Sequence, residues 1–324
     1  MKKYICLFLI ISSLQLSAQN SFSRQDLTVP PIAGTNILKF PFITDISSNP
    51  AFAGALERQH LSLSFHSQWL NMDNFPVSIL TQYDFAVGKN KKYGAGIEVN
   101  HYQFNTKEIY TFDLAFSVKF RLGKKTSLRW GISAISFNKN IQNIYRSGRI
   151  YEDMINAFTG YLNPTFERQH IYNENYFDLK TGVWLTHKNY FAGFSILHIT
   201  QLFYGDKNQV ENIKNLKPDP LPVEMMLNGG YEFRLGNSFT ITPMIQINGP
   251  FGADLEISPS LNVTYHEKFL AGIEYHNMNI AALSLGVRLF RHFNIIATAG
   301  TPLDEELKTI SKFALFEAGI GYLF

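Results

Sequence analysis

Cysteine is all but missing from this sequence. The single one, Cys6, sits in the first apolar run. The rest of the chain therefore has no disulfide, no thiolate nucleophile and no cysteine-bound metal, and its stability must come from packing and hydrogen bonds. Charge is also scarce, at 17% of residues, where soluble domains carry roughly 25%. The net charge of +3 arises from scattered Lys and Arg, which leaves no electrostatic footprint for a nucleic acid. Beyond Asn20 no run of about 18 apolar residues exists, which excludes a helical membrane protein. What the chain does have is aromatic residues, at 15%, with a mean hydropathy of −0.08. A disordered chain would be poor in Phe and Tyr. This combination is the composition of a transmembrane β-barrel.

The first 18 residues, MKKYICLFLIISSLQLSA, read as a secretory leader. Lys2 and Lys3 form its basic start, Tyr4 to Ile11 its apolar stretch, and Ser17-Ala18 a small-residue cleavage site before Gln19. The expected organisation is a signal peptide over 1–18, an N-terminal segment over 19–58 that is periplasmic or plugs the lumen, and a barrel over 59–324.

Period-two alternation dominates the remainder. Tyr110, Phe112, Leu114, Phe116, Val118 and Phe120 share one face, and Thr111, Asp113, Ala115, Ser117 and Lys119 the other. A helix would mix these sets, whereas a strand separates them. Segments 222–235 and 254–266 repeat the pattern, and fourteen such segments are legible between 59 and 324. Most run about 9–13 residues, long enough to cross a bilayer as tilted strands and longer than ordinary globular ones. The predicted fold is all-β, a monomeric 14-stranded antiparallel barrel of the outer membrane.

Two further patterns agree. The longest connections, 139–174, 201–221 and 301–311, all follow odd-numbered strands, while connections such as Lys89–Lys91, Gly123–Lys125, Lys188, Glu267 and Arg291 are tight. A barrel with long outer loops and short periplasmic turns has that parity. Charges within strands, among them Asp84, Glu98, Asp113, Lys119, Arg129, Asp178, Lys180, Asp254 and Glu274, fall opposite the apolar stripe, which predicts an ion-paired, partly filled lumen. In the last strand Phe316, Ala318, Ile320, Tyr322 and Phe324 share one face, and Phe316, Ile320, Tyr322 and Phe324 resemble the C-terminal signal read by the barrel-assembly machinery.

Catalytic patterns are weak. No H-E-x-x-H or paired histidine spacing suggests a metal site. Gly94-Ala95-Gly96 lacks the third glycine of a dinucleotide fingerprint, and Ser195 does not sit in a G-x-S-x-G elbow. Ser64 and His66 share a strand face, as a polar lumen also gives by chance. The expectation is a non-enzyme with no catalytic residue, cofactor or metal.

The more specific signal is Asn49-Pro50-Ala51-Phe52-Ala53-Gly54, followed by a strand ending in Gln68-Trp69 and then by Pro76. Asn49-Pro50 favours a turn and Gly54 permits a positive φ, so this segment is expected to fold back at the periplasmic mouth. Trp69 and Tyr83 are expected in an interfacial aromatic girdle.

With fourteen strands and a terminal Phe, these residues resemble the PorP/SprF family, outer-membrane proteins of the type IX secretion system of Bacteroidetes. His66 departs from it, since members often carry Arg two residues before Gln-Trp, and Phe52 replaces the commoner Tyr. The resemblance implies support for secretion and surface anchoring of a partner such as a gliding adhesin, received through its C-terminal domain, and contact with other, including periplasmic, components of the machine. Loops 139–174 and 201–221 and the lumen mouth are the expected binding surface. The rival reading is a FadL-like channel for hydrophobic small molecules, whose mark would be an apolar lumen pocket.

Overall fold

The computed structural model describes residues 46–70, 75–104, 107–143, 170–202, 222–251, 255–276 and 279–324. The leader, residues 19–45, Asp254 and most of loops 139–174 and 201–221 lie outside the described residues.

Fifteen strands follow in order: β1 (His60–Gln68), β2 (Val77–Val87), β3 (Tyr93–Phe104), β4 (Lys107–Arg121), β5 (Thr126–Asn143), β6 (His170–His187), β7 (Tyr190–Leu197), β8 (Glu224–Tyr231), β9 (Phe233–Leu235), β10 (Phe239–Pro250), β11 (Glu256–Tyr265), β12 (Phe269–His276), β13 (Ile280–Leu289), β14 (Phe293–Pro302) and β15 (Leu315–Leu323). Each pairs antiparallel with its neighbour, β10 bridges β8 and β9 on one side and β11 on the other, and β1 pairs with β15 to close the sheet. β8 and β9 form one stave, interrupted at Glu232. Pro243 stands on β10 between the pairs Gly230–Met244 and Ile241–Phe233, and it has no N–H to give the ladder there. The barrel is therefore closed and 14-staved, as the alternation predicted.

The alternation sorts the residues as expected. Phe112, Leu114 and Phe116 are 45–48% exposed on the outer face, while Asp113, Ser117 and Lys119 of the same strand are buried inside. In the last stave Ile320, Tyr322 and Phe324 face outward, and Gly321 and Leu323 inward. The end with short turns, the periplasmic end by the usual asymmetry of such barrels, carries a belt of paired aromatics. Tyr190 lies 4.5 Å from Tyr231, Tyr231 4.3 Å from Phe233, Phe239 4.8 Å from Tyr265, and Tyr322 4.8 Å from Phe324. Tyr83 belongs to this outer face, 5.8 Å from Phe85.

Three expectations are corrected. Trp69 is no girdle residue: its φ is +55°, it is buried, and its N–H donates to the carbonyl of Ala314 at 3.1 Å. A left-handed residue breaks the alternation at the end of β1 and turns the indole away from lipid. Second, pairing between β5 and β6 continues to Asn143–His170, so part of 139–174 is strand. Asparagines there replace the apolar stripe and hide the hairpin from a hydropathy pattern, with Asn138 donating to Asn175 at 2.7 Å and to Asn173 at 3.3 Å. Third, the Asn49–Gly54 segment does turn, with Gly54 at positive φ, but it does so against lumen residues of the wall and not at the mouth.

Candidate functional site

Local rules shape the segment first. Asn49 is extended (φ −156°, ψ 113°) and caps a 3-10 turn over Pro50–Phe52, its Oδ1 accepting from the Ala51 N–H at 2.9 Å. Proline suits the first helical position because its absent N–H is not needed there. Phe52 then donates to the Asn49 carbonyl, and Ala53 to that of Pro50. Gly54 leaves the turn at φ +69°, where a side chain would be strained.

A short irregular segment buried in a barrel has no ladder to satisfy its peptide groups, so the wall must do it. Side chains from β2, β4, β6 and β7 take that role. Gln82 Oε1 accepts from the Ile46 N–H at 3.0 Å, and Asp84 Oδ2 from the Gly54 N–H at 2.7 Å. Lys180 Nζ donates to the Ser47 carbonyl at 3.0 Å, Ser195 Oγ to that of Ser48 at 2.6 Å, and Ser117 Oγ to that of Ala53 at 2.6 Å. Asn49 Nδ2 donates to the Val183 carbonyl at 3.1 Å, and Lys119 pairs with Glu57 at 2.6 Å as the chain leaves the cradle. The apolar part of the grip is Phe52, edge-on to Trp184 at 4.7 Å, in a buried cluster with Ala51, Phe191 and Met244.

Glycines in the wall make room for the approach. A Cβ on Gly94 would stand 2.0 Å from the Ala53 carbonyl oxygen, one on Gly131 2.4 Å from the Ala51 nitrogen, and one on Gly182 2.3 Å from Asn49 Oδ1. Gly96 likewise faces Ile46. The Gly94-Ala95-Gly96 run, which began like a nucleotide motif, is thus part of this cradle. The sequence signal for it is a set of strand glycines on the lumen face; only the register shows that they meet one segment.

The remaining motif residues lie elsewhere. Gln68 N–H donates to the Pro76 carbonyl at 3.2 Å, so Gln68, Trp69 and Pro76 close the β1–β2 connection at the long-loop end. There they meet the β14–β15 connection, with its short helix α1 (Glu305–Ile310) and buried Ala314. The structure therefore splits the residues from Asn49 to Pro76, one motif in the sequence, into a lumenal part and an outer closure. His66 faces Glu317 across the seam at 3.0 Å.

Beside that apolar cluster the lumen lining is polar and ion-paired. Buried pairs join His60 to Asp84 at 3.0 Å, His198 to Asp178 at 2.6 Å, and Lys180 to Asp113. A cavity of about 30 Å³ lies among Ser47, Glu98, Asp113, Phe137, Lys180 and His198, room for about one water. Among the described residues no group of three His, Cys, Asp or Glu side chains could hold a metal.

A closed antiparallel barrel with an apolar outer face, an aromatic belt and a polar interior is an outer-membrane β-barrel protein. Known structures are similar to it. The TodX ΔS2S3 mutant, a monoaromatic hydrocarbon channel, is 10% identical with a TM-score of 0.51, over 85% of this chain and 92% of that one; TodX is a toluene transporter of P. putida. The Ralstonia pickettii toluene transporter TbuX is 10% identical (TM-score 0.49; 86% and 92% covered), and Acinetobacter baumannii Omp33 is 6% identical (TM-score 0.45; 83% and 99%). No curated protein matches the chain. The model of the type IX secretion system membrane protein family PorP/SprF matches residues 39–320, and the chain belongs to that family.

Proposed function

We propose that this barrel serves type IX secretion by binding, receiving the C-terminal domain of a secreted surface protein and holding it at the outer membrane. The observation that favours this reading over a channel is the ion-paired, polar lining of the lumen. Residues 46–57 lie against the β2–β7 wall, their peptide groups bonded to it, where a channel for hydrophobic molecules would need an apolar pocket. Family membership supplies the machine. The loops 139–174 and 201–221 and the outer mouth are the proposed surface for the partner, since loops on a rigid scaffold are where binding residues concentrate. The N-terminal segment 19–58 is proposed as a lumen plug, and Phe316, Ile320, Tyr322 and Phe324 as the signal that delivers the barrel to its assembly machinery.

The test is affinity capture of the tagged protein from detergent-solubilised outer membranes, with mass spectrometry of everything retained. Recovery of a large secreted protein held through its C-terminal domain supports anchoring. Recovery of bound fatty acid or another apolar small molecule without such a protein refutes it and supports the FadL-like channel.

A further inference from the structure

The short-turn end of the barrel is not evenly charged. Three turns that neighbour one another around the rim, β2–β3, β4–β5 and β6–β7, carry Lys89, Lys91, Lys92, Arg121, Lys124, Lys125 and Lys188 and no carboxylate. The rim of the other arc carries Arg58, Arg234, Lys268, Arg288 and Arg291 against Glu232 and Glu267, and Arg234 lies 3.7 Å from Glu232. Seven cations thus gather on one arc of a chain whose total net charge is only +3.

Their position relative to the bilayer decides what such an arc can meet. The Lys92 ammonium lies 5.4 Å from the centroid of the Tyr93 ring, and Tyr93 stacks on Phe116 at 6.3 Å on the outer face. The β4–β5 hairpin extends past the last β3 pair, presenting Phe120 at 45% and Leu122 at 62% exposure just before Lys124 and Lys125. Exposed apolar side chains at the level of the aromatic belt lie in acyl chains. Lys124 and Lys125, immediately beyond Leu122, lie at the depth of the headgroup phosphates, and Lys92, whose carbonyl accepts from the Lys119 N–H at 2.7 Å, reaches toward them along its side chain. A soluble acidic partner would need cations pointing into the periplasm, and it would have no use for the apolar shelf beside them.

We propose that this arc is a binding site for anionic phospholipid in the periplasmic leaflet of the outer membrane. Lys92, Lys124 and Lys125 hold the headgroup, and Tyr93, Phe120 and Leu122 line its acyl chains. A cation near an anionic membrane surface contributes about a fivefold gain in affinity, so three lysines acting additively give a preference for anionic over zwitterionic lipid of about a hundredfold.

The full-length barrel in nanodiscs of equal POPG and POPC, examined by native mass spectrometry, tests this. Preferential retention of POPG is expected. It should be lost in K92Q/K124Q/K125Q and kept in R234Q/K268Q/R291Q on the opposite arc, with heat-modifiable migration confirming that both variants fold. Equal retention of the two lipids by the wild-type barrel overturns the proposal, as does equal loss in both variants, which would reflect net charge alone. Lack of POPG preference together with an acidic protein photo-crosslinked at position 92 in native membranes would also overturn it, assigning the arc to a protein partner.

Discussion

Gly131→Ala adds one methyl group to a wall strand, and the cradle predicts a large effect from it. The new Cβ would stand 2.4 Å from both the Pro50 carbonyl carbon and the Ala51 nitrogen, where ordinary contact is 3.4–4 Å. These are backbone atoms with no rotamer to yield, so the segment itself must retreat by about 1 Å, since overpacking of this kind displaces its neighbours. That retreat stretches the hydrogen bonds from Asn49 Nδ2 to the Val183 carbonyl and from Ser195 Oγ to the Ser48 carbonyl, now 3.1 and 2.6 Å. Overpacking costs about 1–3 kcal/mol and two weakened hydrogen bonds about 1 kcal/mol each. The seated state therefore loses about 3–5 kcal/mol, which at 1.4 kcal/mol per factor of ten raises the displaced population about a hundredfold or more.

The scarcity of cysteine makes this measurable. In a Cys6→Ser background, Ser48→Cys places a nearly isosteric thiol at a buried site in the seated segment. Maleimide-PEG should label it slowly in the otherwise unchanged barrel and about a hundredfold faster with Gly131→Ala. Gly123→Ala, whose Cβ would meet only Thr126 Oγ1 at 3.9 Å, should change nothing. In a strand that touches nothing, alanine is mildly stabilising relative to glycine. Unchanged labelling, with unchanged or higher barrel stability, would therefore refute the cradle.

Other outcomes follow from the same contacts. Lys180→Met removes the cation beside buried Asp113 and the donor to Ser47, and should destabilise the barrel by about 3–5 kcal/mol in urea titrations, with part recovered by adding Asp113→Asn. Phe52→Ala empties the pocket beside Trp184, at a cost of about 3–5 kcal/mol. In a Trp69→Phe, Trp130→Phe background, Trp184 emission should then shift to the red. Leu114→Lys places a charge on the lipid face near the middle of β4 and should cost about 2–4 kcal/mol. Deleting Phe324 should lower the amount of heat-modifiable barrel recovered from outer membranes if the terminal aromatic signals assembly.

Much of the barrel was legible in the sequence because a strand's period of two is a local property. The run from Tyr110 to Phe120 declares its two faces without reference to any other strand, and a charge on the lipid face is costly enough that Asp113 and Lys119 had to point inward. Tight turns such as His266-Glu267 and Phe290-Arg291 were readable as gaps between such runs, although their left-handed backbone, with φ from +50° to +63°, was not. The β5–β6 extension was missed because, beyond lipid, asparagine ladders replace the apolar stripe that marks a strand. Trp69 was misplaced because one positive φ reverses the parity on which the reading depends.

The seated segment needed the tertiary structure. Its own turn follows from Asn49, Pro50 and Gly54, but its location rests on contacts between residues 36 positions apart, as for Ile46 and Gln82, and 147 apart, as for Ser48 and Ser195. No local pattern couples such distant residues. The sequence by itself determined which side chains face lipid and which face the lumen, since that depends only on alternation. Barrel closure decided which lumen residues meet, because register alone brings Gly94, Gly131 and Gly182 from three strands against a single turn of chain.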